Sequence, residues 1–380
     1  MRRFSRIRPL TGLAAVSACA LAVAVPAPLA GASVPGNNFH NQFRQTNLIS
    51  DRTDQGAQVV DPNLLNPWGL ALSPTSPLWV ADNNAGVATI YTITPGGGMA
   101  ANTGNVVTLP GGRASTMDGA SPTGQVFNPT DDFTVTSKAG SGPALFIFSA
   151  EAGQISAWSP AADPFTNKMA TAQVEFSSPT AVYKGLTIAR AHGRDYLYAS
   201  NFHDGTVDVF NSQFDKVHLH GHFRDRHLPP GYAPFGIQEI RGLLYVTYAL
   251  QNAAKHDDVS GPGHGFIDIY TNEGFFIKRL ASRGTLNSPW GLALAPDNFG
   301  PFGDRLIVGN FGDGLINVFG RFTGRFFGQL HDQSGNPIQI DDLWALKFGT
   351  QTTGGTNTLL FSAGINDEKD GLVGAINAVP

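Results

Sequence analysis

Cysteine is nearly missing from this chain. The one that occurs, Cys19, sits in an apolar N-terminal run behind Arg2, Arg3, Arg6 and Arg8. A chain freed of that run can form no disulfide and perform no thiol chemistry. Charge is scarce as well, at 14% of residues, and acidic on balance. Without the four leading arginines the count is 21 basic to 29 acidic residues, a net of −8. An acidic chain with no basic run is a poor partner for nucleic acid or for an anionic membrane. No second long apolar run follows the first, so no membrane span is predicted in the mature chain. Familiar catalytic signatures are missing too: no G-x-S-x-G, no H-E-x-x-H and no Walker loop.

The N-terminus reads as an export signal. Four arginines precede a small-residue apolar run at 10–25, and Ala30-Gly31-Ala32 offers a cleavage site. The expected organisation is a signal peptide at 1–32, a disordered segment at 33–41 and one folded domain at 42–380. The expected location is secreted or extracytoplasmic. Val16-Ser17-Ala18-Cys19 loosely fits a lipoprotein box, but the residues after Cys19 are apolar where a tether is polar.

What is abundant is glycine, 45 residues, and proline, 25, spread among short apolar runs. That composition suits an all-β protein with many tight turns. A repeat orders it. Residues 66–91, NPWGLALSPTSPLWVADNNAGVATIY, return at 288–319 as SPWGLALAPDNFGPFGDRLIVGNFGDGLINVF. Each copy holds an apolar strand after a proline, a turn, a second strand ending near Asp or Asn, a Gly turn and a third strand. Further copies open near Asp131, Gly185, Gly236 and Ala345, so that Gly69, Asp131, Gly185, Gly236, Gly291 and Ala345 follow one another at spacings of 62, 54, 51, 55 and 54 residues. Residues 95–124 read as a Gly-rich insertion with an outer strand at 106–109. Units that cannot bury both faces alone must stack, and three or four strands per unit predict a single six-bladed β-propeller of four-stranded blades. The sixth unit ends after its third strand, and residues 43–49, FRQTNLI, are the expected fourth.

Four groups of residues carry a family resemblance: Gln45–Ser50, Asp61–Leu70, Gly231–Phe235 and Gly261–Phe266. They resemble an uncharacterised family of exported bacterial propeller proteins, some bearing a PEP-CTERM sorting tail, distantly similar to NHL-repeat propellers. The resemblance implies a fold and no established reaction.

In a propeller the entries of the inner strands and the turns between second and third strands share one rim. The expected ligand-binding rim includes Asp82, Glu151, Asn201, His203, Asp257 and Asn310. Among the strand entries, Asp131, Asp132 and Asp342, with Asn66, Asn128 and Asn287, offer the hard oxygen ligands that Ca²⁺ prefers. Lys184 and Asp341 are further entry residues, and Asp204, Asp258, Asp313, Asp367 and Glu368 further turn residues. Turn chemistry alone also explains Asp204-Gly205, Asp313-Gly314 and Asp370-Gly371. His218, His220 and His222 alternate, but same-face positions roughly 7 Å apart are too spread for one tetrahedral ion. The loop His256-Asp257-Asp258 is a long polar excursion of the kind that carries function. Trp68, Trp290 and Trp344 recur at one place in their units, as core residues do.

Two function classes remain. One is an exported binding or scaffold protein, a monomer holding an extracellular protein, peptide or glycan. The other is a Ca²⁺-dependent hydrolase or lyase with its site at the channel mouth.

Overall fold

In a computed structural model of the chain, residues 41–111 and 120–379 are described. The expected export signal with Cys19, and all of the expected 33–41 segment but its last residue, lie outside them. Six small antiparallel sheets, each led by a fully or largely buried inner strand, stand around one axis. The inner strands are Pro67–Ala71, Pro122–Phe127, Tyr183–Ala191, Tyr232–Ile240, Pro289–Leu294 and Leu343–Phe348. Each packs beside the next, and the sixth returns to the first. This is the six-bladed β-propeller that the repeat predicts.

Glycine permits the close approach. A Cβ on Gly69 would fall 2.5 Å from the Thr123 carbonyl oxygen, and one on Gly124 2.4 Å from Leu186 N. On Gly236 it would meet the Trp290 oxygen at 2.1 Å, and on Gly291 the Trp344 oxygen at 2.5 Å. Gly185 faces the third such junction, and Ala345 takes the equivalent place in the sixth blade. The repeat position is therefore Gly124 in blade two, not Asp131. Blade two enters earlier than expected because its inner strand, PTGQVF, lacks the Trp-Gly-Leu signature and closes a glycine-rich stretch. A long connection then carries a side hairpin, Thr134–Thr136 with Ser141–Pro143, before the second strand Phe146–Ala150. Reading that connection as the strand entry misplaced Asn128, Asp131 and Asp132.

Blade six closes as the truncated repeat requires. Phe43–Ser50 pairs antiparallel with Leu372–Ala378, from Phe43 opposite Ala378 to Ser50 opposite Leu372. Phe43, Leu48, Ile49 and Ser50 are buried there. Two blades gain a fifth, parallel strand: Val59–Val60 on blade six and Met169–Thr171 on blade one. The outer strand of blade one runs over Ala100–Thr108, longer than the expected 106–109. In blade three the outer strand is only Lys216–Val217, so His218, His220 and His222 lie beyond it and share no strand face.

Around the axis, large aromatics fill the channel. Trp68 and Trp344 stack with ring centroids 3.3 Å apart, and Trp290 meets them edge-on at 6.0 and 5.8 Å. Phe235 and Phe311 add rings 5.9 and 4.1 Å from Trp344. The recurring tryptophans are thus core, a plug between two cavities. One, of about 460 Å³, opens at the mouth above Trp68 and Trp344. The other, of about 240 Å³, lies among the glycine-bearing inner strands.

Candidate functional site

The mouth cavity is built where inner strands begin and where second strands turn into third ones. Blade three contributes Lys184, the second residue of its inner strand, with only 3% of its side chain exposed. Burying an ammonium is costly unless it is paired. Its partner is Glu151, from the hairpin turn of blade two, in a very short contact. Asp257 stands 3.8 Å away on the long loop of blade four. Burial alone would lower the Lys184 pKa, but the charges of Glu151, Asp257 and Glu368 outweigh it and hold the group above the usual lysine value. The ammonium also lies 5.0 Å from the Trp68 ring centroid and 5.9 Å from that of Phe202, at cation–π range.

Glu368 faces this pair from blade six. Burial, reinforced by the charge of Glu151, raises its pKa to about 7, against the hydrogen bond from Asn66 and the charge of Lys184. Asn66 Nδ2 donates to Glu368 Oε2 at 2.9 Å, while Asn66 Oδ1 accepts from Trp344 Nε1 at 3.0 Å. One amide thus ties the carboxyl to the aromatic floor. The backbone that presents Glu368 is unusual. In the turn Ile365–Glu368, Asn366, Asp367 and Glu368 have φ of 62°, 54° and 60° in succession. Asn and Asp tolerate the left-handed region, whereas a glutamate there costs roughly 1–2 kcal/mol. A strained residue held inside a pocket by its surroundings is a reason to look for function.

His256 and Asp257 complete the rim, with Nδ1 2.7 Å from Oδ1. That hydrogen bond raises the histidine pKa and lowers the aspartate's. Burial raises Asp258 beside them. Asn83 Nδ2 donates to Glu151 Oε2 at 3.1 Å and orients it. The indole nitrogen of Trp68, on the cavity floor, has no hydrogen-bond partner among the described residues. The site therefore presents one fixed cation, two acidic groups in contrasting surroundings and a histidine–aspartate pair over an aromatic base. Separated environments of this kind allow one carboxyl to hold a proton near pH 7 while its neighbour is charged.

Of the rim residues expected from sequence, Glu151 and Asp257 reach the cavity. Lys184, Asp258 and Glu368 join them, as strand-entry and turn residues. Asp82, Asn201 and Asn310 end the second strands of blades one, three and five with their side chains turned inward. All three are fully buried. Asp82 accepts from the Thr89 hydroxyl at 2.7 Å. Asn201 donates to Asp204 and Asp208, and Asn310 to Asp313 and the Thr285 carbonyl. They pin turns. His203 bonds its neighbour Asp204 outside the cavity.

The oxygen set expected for a metal does not converge. Asn66 lies at the mouth, and Asp342 adjoins Glu368 at the entry to blade six, its pKa raised by burial. Asn287 is occupied in tying loops, accepting from Gly261 N at 2.6 Å. Asn128, Asp131 and Asp132 follow the inner strand of blade two, at the end away from the mouth. There Asn128 bonds the carbonyls of Asp132 and Ala144. Sequence reading passed over Asn84 and Ser121, which also line the cavity. The signal of Ser121 was hidden with the entry of blade two, whereas Asn84 stands in the hairpin turn of blade one, two residues after Asp82.

No family model matches the chain. Two uncharacterised proteins of Acanthamoeba polyphaga mimivirus are 32% identical over 334 residues and 31% identical over 335. The alignments cover 87% of this chain and 78% and 84% of those proteins. The bacterial origin and the sorting tail implied by the motif resemblance find no support in these viral relatives. Among solved structures, an α-L-arabinofuranosidase from Fusarium graminearum aligns over 89% of this chain and 98% of its own, with a TM-score of 0.53 and 10% identity. A virginiamycin B lyase from Staphylococcus aureus aligns over 89% and 99%, with a TM-score of 0.49 and 14% identity. At 10% identity, the likeness to the arabinofuranosidase shows a shared fold alone.

Proposed function

The chain belongs to one family with these uncharacterised mimivirus proteins, and from that premise we propose that it is an exported binding protein whose mouth cavity takes a small polar ligand. The observation that carries this reading is the buried Lys184–Glu151 pair beneath an open cavity of about 460 Å³. Ammonium, carboxylates, amide and indole are a donor and acceptor set suited to a hydroxyl-rich or zwitterionic organic molecule, with the tryptophan floor as its apolar face. Thermal melting against a panel of monosaccharides, amino sugars, amino acids and hydroxy acids tests it. A ligand at a hundred times its Kd adds about 2.7 kcal/mol, which is a rise of a few degrees. The test includes the double variant Lys184→Met with Glu151→Gln, because removing one member alone strands a buried charge at a cost of roughly 3–5 kcal/mol. The double variant should keep its fold and lose the ligand-induced rise. A rise that survives in it, or a panel without effect on the intact protein, would count against the reading.

Glu368 favours a second reading, acid–base catalysis by a hydrolase or lyase. With a pKa of about 7, its carboxyl can hand a proton to a leaving oxygen and recover one from water. A ligand found by melting should then be consumed by the intact protein and remain intact with Glu368→Gln.

A divalent cation such as Ca²⁺ is the competing occupant, since ligand atoms of Glu151, His256 and Asp257 lie within 4.8 Å of one another. Lys184 already supplies a positive charge beside these carboxylates. Millimolar Ca²⁺ should therefore leave the melting temperature of the intact protein unchanged. A rise reversed by chelator would install the cation instead.

A further inference from the structure

Opposite the mouth, on the face formed by the turns between third and outer strands, blades four and five expose an aromatic and basic patch. Six of the eleven large apolar side chains exposed among the described residues gather there: Phe275, Phe276, Ile277, Phe322, Phe326 and Phe327. Their exposures run from 37% to 50%. Single exposed apolar residues need no explanation, but a cluster does. The two turns meet at Lys278, whose Nζ donates to the Phe322 carbonyl at 2.9 Å and lies 5.6 Å from its ring centroid. The guanidinium carbons of Arg305 and Arg325 lie 4.4 and 5.0 Å from the Phe327 centroid.

Part of the positive charge of this patch has no ion-pair partner, and the acid in its first turn, Glu273, faces His192 at 3.5 Å. Arg241 and Arg321 pair with Asp304, and Arg279 with Asp225 and Asp268. Lys278, Arg305 and Arg325 have no acidic partner among the described residues. The chain as a whole is acidic, with a net charge of −4, so this concentration of positive charge is local. The aromatics stand at the start of two outer strands, Phe276–Ser282 and Phe326–Gln329, which are the free edges of their sheets.

We propose that this face docks the protein onto an anionic lipid surface, with the phenylalanine rings at the headgroup boundary and Lys278, Arg305 and Arg325 among the phosphates. Apolar rings flanked by cations suit a membrane interface, where burial of rings and attraction to anionic lipid act together. Charge selects this occupant over a second copy of the chain. A two-fold pairing of the patch with itself would set three unpaired cations against three. Docking here leaves the mouth cavity, on the opposite rim, facing water and open to its ligand. Composition alone pointed away from anionic membranes, because the net charge hides the local one.

Cosedimentation of the whole protein with vesicles tests the proposal. It should pellet with vesicles of phosphatidylcholine and phosphatidylglycerol at 7:3, weakly with phosphatidylcholine alone, and less at 500 mM than at 50 mM salt. Each cation near the surface contributes about a fivefold factor. Lys278→Gln with Arg325→Gln should therefore weaken binding about twenty-five-fold, and Phe322→Ser with Phe327→Ser tenfold or more. Phe322, Arg325 and Phe327 are exposed and Lys278 is half-buried, and unchanged melting curves would show that both doubles fold. No pelleting of the intact protein with anionic vesicles overturns the proposal, as does pelleting unchanged in both doubles. A dimer in sedimentation equilibrium that the phenylalanine double abolishes, without vesicle binding, assigns the patch to self-association and overturns it equally.

Discussion

At the scale of single residues, Glu368 and Lys184 are opposite solutions to the cost of burial. Lys184 keeps its charge by pairing with Glu151, whereas Glu368 lies where its neutral form is favoured. The second arrangement has a pH signature with a definite sign. A glutamate whose pKa is 4.5 in the unfolded chain and about 7 in the folded one binds its proton more tightly when folded. Its contribution to stability is full below pH 4.5, declines as pH rises, and is lost above about 7. A shift of that size corresponds to at most about 3 kcal/mol, less where water screens the carboxyl. Urea melts between pH 4.5 and 8 should show this decline in the intact protein and not in Glu368→Gln. Parallel pH profiles for the two proteins would mean that Glu368 titrates as an ordinary surface group. Glu151, Asp257 and Glu368 were visible in sequence as turn acids because hairpin turns are marked by Gly, Asn and Asp. Which turn acids face the cavity was not visible. Asp82, Asn201 and Asn310 occupy one repeated place and turn inward to bond their own turns, a choice of rotamer and partner that local sequence does not encode.

Among the elements, the N-terminal strand has the largest consequence. Phe43–Ser50 supplies the fourth strand of blade six, and Phe43 packs its ring 5.0 Å from Phe299 and 6.0 Å from Phe302 of blade five. Its role was legible because the last repeat ends one strand short and a spare strand-length segment, FRQTNLI, precedes the first. The inner strand of blade two was not legible. Its residues, PTGQVF, share only proline and glycine with the repeat signature, and the connection after it is long enough to contain its own hairpin. Periodicity locates elements only where the motif residues recur. Deleting residues through Ser50 should remove three buried apolar side chains, Phe43, Leu48 and Ile49, at about 1.5–3 kcal/mol each. That loss is comparable to the whole stability of an ordinary domain. The truncated protein should melt far below the intact one or fail to fold, with a freed edge prone to association. Equal melting temperatures by calorimetry would show that the ring closes without this strand.

For the whole molecule, the mouth cavity and the aromatic and basic patch lie on opposite faces because every inner strand runs the same way. Strand entries and one set of turns make the mouth, and the other set of turns makes the opposite face with its aromatic and basic patch. The ring that holds the faces apart depends on backbone approaching backbone at the axis. Gly236 is the tightest of these junctions, since any Cβ would stand 2.1 Å from the Trp290 carbonyl oxygen and 3.0 Å from Thr247 Oγ1. The obstructing oxygen belongs to the main chain of blade five and cannot rotate away as a side chain would. Trp290 also donates its indole N–H to the Lys184 carbonyl at 3.2 Å, so pushing blade five outward disturbs the residue beneath the mouth. Gly236→Ala should therefore cost about 1–3 kcal/mol by overpacking, although alanine is otherwise a mild replacement for glycine. The sixth inner strand already carries Ala345 at the equivalent place, which makes the comparison local: Ala345→Gly opens space and should have a smaller effect. Denaturant melts of the two variants beside the intact protein decide it. If Gly236→Ala were as stable as the intact protein, the ring would be loose enough at its axis to absorb a methyl group, and close packing of the inner strands would not be what fixes the mouth.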